Sequence, residues 1–99
     1  MAEKQKAQEI KVSFPEQLKA GVYSNLMVVK HTREEFILDF LMVSPPEGAV
    51  SARVIMSPGH MKRTIIALQE NVKKYEEVFK KIQEAKEPTS KKGLGFLSS

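Results

Sequence analysis

The sequence contains no cysteine and no tryptophan, and has only two tyrosines, five glycines and five prolines in 99 residues. Without cysteine there is no disulfide framework and no thiolate zinc site, so two common staples of small domains are excluded. Glycine and proline are too sparse for a collagenous chain, and 41% hydrophobic with 28% charged residues excludes wholesale disorder. Long apolar runs are also missing: the longest, residues 36–43, is interrupted by Asp39. The polar start MAEKQKAQ holds no apolar signal core, so a soluble cytoplasmic protein without membrane contact is expected. The length fits one domain, which would bury roughly two-thirds of its unfolded surface. A core that thin makes self-association the usual remaining support.

The net charge is +4, yet the excess is dilute. Residues 1–57 carry seven Lys/Arg and seven Asp/Glu, residues 58–87 carry seven and five, and Lys91 and Lys92 add two more. A duplex-binding surface needs several cations facing phosphates together, which this distribution does not provide.

Residues 9–14, EIKVSF, alternate apolar and polar up to Pro15 and predict a short first strand. Residues 22–31, 35–43 and 49–57 read as three further strands, with SPPEG as the turn before the last. Pairing Val43 with Ala49 across that turn fixes a register by counting. Met42 then meets Val50, Phe40 meets Ala52, Leu38 meets Val54 and Phe36 meets Met56 on one face. On the other, Asp39 falls opposite Arg53 and Ile37 opposite Ile55, which makes Asp39–Arg53 a structural cross-strand ion pair, worth under ~1 kcal/mol if exposed. The second strand is apolar on both faces and leaves its register open. Its Asn25 reads as a hydrogen-bonded structural residue.

A helix is predicted over residues 58–87, from the N-cap Ser57 and Pro58 to the stop at Pro88. Met61, Ile65, Leu68, Val72, Tyr75, Phe79 and Ile82 recur at steps of four and three and form an a/d seam. The opposite face carries Glu70–Lys74, Glu76–Lys80 and Glu77–Lys81 at i,i+4, which favours a self-paired solvated face over nucleic-acid binding. A helix of ~42 Å overhangs a four-stranded sheet ~19 Å wide, so the seam is expected to meet a second copy.

Several stretches carry a family pattern: GVYSN at residues 21–25, His31-Thr32, EFILDF at 35–40, ARVIMSPGHMK at 52–62 and ALQENVKKYE at 67–76. Over about residues 8–82 the chain resembles the small prokaryotic family catalogued as domain of unknown function 3467. The resemblance implies an ordered, self-contained domain and carries over no catalytic residue.

Catalytic and ligand chemistry is thinly represented. Ser57, Gly59 and His60 form a candidate anion site at the helix start, although a first-turn His is also ordinary in such a cap. His31 and His60 lack metal-ligand spacing, so no metal is expected. Ser24, Ser57, Asp39 and the two histidines form no nucleophile–base set, and phosphate-binding glycine motifs are missing, so neither a cofactor nor catalysis is expected. The sequence therefore predicts an α+β homodimer: residues 1–8 disordered, 9–87 a meander of three to four antiparallel strands followed by one long C-terminal helix across one face of the sheet, and 88–99 a flexible tail from which Leu94, Phe96 and Leu97 could dock. Its expected function is a binding or scaffold module with a protein partner. A nucleic-acid-associated regulatory dimer is the alternative, and a small-anion sensor a weaker one.

Overall fold

The structure, a computed structural model, describes residues 8–95. Three antiparallel strands lie in sequence order, β1 (Leu26–His31), β2 (Phe36–Ser44) and β3 (Glu47–Met56), followed by the helix α1 (Pro58–Val78). Short 3-10 turns at Glu16–Leu18 and Lys91–Gly93 flank this unit. The alternating β-rich segments thus become a meander, and the heptad pattern becomes a helix.

Pairing between β2 and β3 follows the counted register from Phe36↔Met56 through Asp39↔Arg53 to Phe40↔Ala52. It then shifts: Leu41 pairs with Val50 and Met42 with Ala49, so Ser51 stands as an extra residue on β3. The expected Val43–Ala49 and Met42–Val50 pairs are corrected accordingly: Val43 pairs with Gly48, and the bulge carries Val50 to the opposite face. The hairpin is also tighter than the sequence indicates, with Pro45-Pro46 alone between Ser44 and Glu47. Ser51 gains a partner at the irregularity by donating its hydroxyl to the Tyr23 carbonyl at 3.0 Å.

β1 adopts the register Leu26↔Leu41 to His31↔Phe36 and begins four residues later than the expected 22–31. Asn25 replaces further strand pairing with its side chain. Its Nδ2 donates to the Val43 carbonyl and its Oδ1 accepts from the Val43 N–H, both at 2.9 Å. The amide thereby imitates one more ladder position, which is the structural role expected of it.

Residues 9–14 do not form the expected strand. They carry no ladder partner, and Ile10, Val12 and Phe14 point into solvent at 64–85% exposure. Alternation makes a segment fit for a sheet, but a strand also needs an edge to bond. Gly21 then turns the chain toward β1 with φ of 75°, a conformation that glycine adopts without a Cβ penalty.

Burial concentrates on the central strand, flanked on both sides. The register divides the sheet into two faces. Leu26, Val28, Ile37, Asp39, Leu41, Val43, Val50, Arg53 and Ile55 share one, called here the Asp39 face. Met27, Val29, Phe36, Leu38, Phe40, Met42, Ala52, Val54 and Met56 share the other, the Leu38 face. Leu26, Leu41 and Val43 form the buried cluster of the Asp39 face, with Val28 and Leu94 packed against it. The tail expected to be free over residues 88–99 is therefore seated at Leu94, where it removes apolar surface from water. Phe96 and Leu97 lie outside the described residues, as do residues 1–7 of the N-terminal stretch expected to be disordered.

The helix departs most from expectation. Ser57 caps it as foreseen, its Oγ accepting from the His60 N–H at 3.2 Å, with Pro58 in the first turn. It ends at Val78 rather than residue 87, and Phe79 closes it with an N–H donated to the Tyr75 carbonyl. Beyond, the Glu76 carboxylate accepts from the Ile82 N–H at 2.9 Å and turns the chain out of the helical path. Helical stability in proteins comes mainly from packing an apolar face, and these last turns have nothing to pack on. Nor does α1 lie across the sheet: none of its residues is buried, and the molecule extends 61 Å along its longest axis.

Candidate binding surfaces

The Leu38 face is the larger open apolar surface of the sheet. Leu38 is buried at its centre by its neighbours, while Met27, Val29, Met42 and Val54 around it remain 39–41% exposed. At one end His31 and Phe36 stack with ring centroids 5.4 Å apart. Beside them stands Met56, whose Sδ accepts from the Thr64 hydroxyl of α1 at 3.5 Å. Thr64 flanks the seam on the helix surface, between Met61 and Leu68. The half-buried Met61 and Thr64 thus tie the start of the seam to the end of the Leu38 face.

From that junction onward the seam is wet. Ile65, Leu68, Val72, Tyr75, Phe79 and Ile82 are 42–68% exposed. Tyr75 and Phe79 pair with centroids 4.8 Å apart, which leaves their outer surfaces in solvent. The expected intrahelical Glu–Lys pairs are not closed. Among the described residues the ion pairs are Lys19–Glu16 and Arg53–Asp39.

On the opposite side, Asp39 is 1% exposed and Arg53 covers it. The guanidinium donates from Nε to Oδ1 at 2.6 Å and from Nη2 to Oδ2 at 2.8 Å, so both carboxylate oxygens are occupied. Hydrogen bonding from Arg53 holds the carboxyl below its usual range; burial opposes this, and the charges of Arg53 and Lys30 reinforce it. The cross-strand pair was legible from the sequence; the structure adds that it is bidentate on a buried carboxylate.

The same face carries a cleft of about 460 Å³ between the Pro45-Pro46 turn and the tail. Leu41, Val43 and Val50 lie on the sheet side, and Thr89, Gly93, Leu94 and Gly95 on the tail side. No spacing in the sequence signals this cleft, since it depends on the bulge that moves Val50 and on the seating of Leu94. Apolar GLGFL in an otherwise polar tail was its one visible trace.

At the candidate anion site Ser57, Gly59 and His60 are all exposed. The Ser57 hydroxyl takes the His60 N–H, and the His60 Nδ1 lies 3.0 Å from the Arg63 Nη2. The register places His31 and the helix start at one end of the sheet, but no group of three metal-ligating side chains forms among the described residues. No helix there is long and apolar enough to cross a membrane.

These features define a class: a small α+β protein in which a three-stranded antiparallel meander is followed by one C-terminal helix, with large apolar surfaces left open. The chain belongs to the family described as Protein of unknown function (DUF3467), whose model matches residues 1–84 of the 99. The seated tail segment around Leu94 lies beyond the matched region. Neither a curated protein nor a solved structure matches the chain.

Proposed function

We propose that this protein is a non-catalytic, cytoplasmic binding module that works as a homodimer. The observation carrying the proposal is the exposed seam from Ile65 to Ile82 together with the open Leu38 face. With full accessible areas of ~150–250 Å² for large side chains, the exposed parts of these residues amount to roughly 900 Å², comparable with the ~800 Å² each partner contributes to a standard interface. Surfaces of that size are uncommon on monomers. A second copy is always present at the same concentration and offers the same apolar chemistry, which favours it as the partner.

A binding role is also supported by the state of the reactive groups. Asp39 spends both oxygens on Arg53, His31 stacks on Phe36, and the His60 ring is engaged by Arg63. With the dimer formed through the Leu38 face and the seam, the Asp39 face and its cleft remain outward for a protein partner.

Sedimentation velocity combined with anisotropy of a labelled DNA duplex at low and moderate salt tests this reading. The expected result is a dimer with no saturable duplex binding at either salt. Tight binding that falls ~10³-fold or more between 50 and 200 mM salt would overturn it in favour of a nucleic-acid-associated dimer.

A further inference from the structure

Two stretches of backbone in this chain lack a partner. Residues 9–14 alternate like a strand but bond to no ladder, and Ile10, Val12 and Phe14 are 64–85% exposed. β3 is an outer strand of the sheet, and among the described residues no backbone group bonds its free side. A row of unpaired N–H and C=O groups on a sheet edge is a template for an added strand, and an alternating segment suits it.

The two match in length and in where they stop. Past the bulge at Ser51, β3 runs regularly over residues 52–56, with Ala52, Val54 and Met56 on the Leu38 face, and then gives way to the helix. Residues 10–14 are also five, with Ile10, Val12 and Phe14 alternating. Laid antiparallel with Val12 opposite Val54, they set Ile10 by Met56 and Phe14 by Ala52, a large ring beside the smallest side chain of that face. Pro15 then falls at Ser51, where the ladder is already interrupted and a missing N–H forfeits no bond. On the other face Lys11 comes opposite Ile55, which is 52% exposed, and its aliphatic stem covers it while the ammonium stays in water.

We propose that residues 10–14 of each chain add as a fourth, antiparallel strand to the free edge of β3 in the second copy, and that the exchange is mutual. This rests on the homodimer reading above and names a further contact within it. The Ser51 hydroxyl bonds the Tyr23 carbonyl at 3.0 Å, so the chain leading into β1 passes beside β3 and the segment is rooted near that edge. Between root and segment stands the 3-10 turn Glu16–Leu18, closed by the Leu18 N–H on the Pro15 carbonyl, and the segment before it leaves its own β3 edge unpaired. Two copies meeting by their β3 edges bring each root next to the other's free edge, and the contact is isologous and closes at two. Each exchanged strand forms ~4–6 backbone hydrogen bonds and widens the Leu38 face by one strand.

The chain has no cysteine, which makes single-cysteine cross-linking unambiguous. Lys11→Cys and Ile55→Cys full-length chains would be prepared separately, mixed, allowed to exchange subunits, and treated with a short bis-maleimide. The expected result is a cross-linked species of twice the chain mass, several-fold more abundant in the mixture than in either variant alone or in a mixture of Lys11→Cys with Lys30→Cys. Preferred cross-linking to Lys30→Cys would overturn the proposal in favour of the β1 edge. A Lys11→Cys/Ile55→Cys double variant that cross-links at the mass of one chain would overturn it in favour of a segment folded onto its own edge. No cross-link in chains that sediment as dimers would overturn the exchange while leaving the homodimer reading intact. A monomer by sedimentation for the unsubstituted chain would defeat the homodimer reading itself, and the exchange with it.

Discussion

Leu68→Ala distinguishes a seam that is merely wet from one that is an interface. Leu68 is 61% exposed in the single chain, and full burial of a leucine is worth ~1.5–3 kcal/mol, so the part still to be buried represents ~0.9–1.8 kcal/mol. A two-fold dimer contains the contact twice, so truncation removes ~2–3.5 kcal/mol of association free energy. This corresponds to a Kd raised ~30- to 300-fold. Sedimentation equilibrium over a wide concentration range measures it. Ile66→Ala supplies the control, since Ile66 is 51% exposed but lies off the seam, and its truncation is expected to change the Kd by less than about twofold. Equal effects of the two substitutions, or none from either, would refute the assignment of the seam as the contact surface.

The remaining expectations concern the fold that holds these surfaces. Asn25→Ala removes both bonds to the Val43 backbone, and urea denaturation should show a loss of ~1–3 kcal/mol with little change in m. Asp39→Asn tests the ion pair through pH. The folded carboxyl is held below its unfolded value of ~3.9, so its contribution is present above that pH and lost as pH falls through the folded value. The wild-type melting temperature should therefore decline more steeply with acid below about pH 4 than that of Asp39→Asn, and parallel acid limbs would contradict the pairing. Ser57→Ala removes the cap on the His60 N–H, and should cost ~1 kcal/mol in denaturant midpoint and reduce helical circular dichroism.

Local pattern carried the sheet further than it carried the helix. Between Phe36 and Phe40 the pairs follow from alternation and the position of the turn, because a one-residue slip would place Asp39 among Leu38's apolar neighbours. The slip at Ser51 was hidden because the bulged residue is an ordinary serine, and its reward, the bond to the Tyr23 carbonyl, comes from 28 positions away. Residues 9–14 have the alternation of a strand but pair with neither outer strand of the sheet, and alternation is silent about partners. Pro88 was the visible stop for the helix, yet the chain leaves the helix at Val78, and the Glu76 carboxylate captures the Ile82 N–H just beyond. For the candidate surfaces, the seam and the Asp39–Arg53 pair were legible because each is a spacing in the sequence. The cleft was not, because it joins a bulge, a proline turn and Leu94 across half the chain.

Light scattering of the full chain across a dilution series tests most directly whether a second copy covers the apolar surfaces that one chain leaves open. The account predicts a mass of ~22 kDa, twice the 11.2 kDa chain, that persists to low micromolar concentration. A mass of 11.2 kDa at every concentration, with the fold intact by circular dichroism, would contradict it.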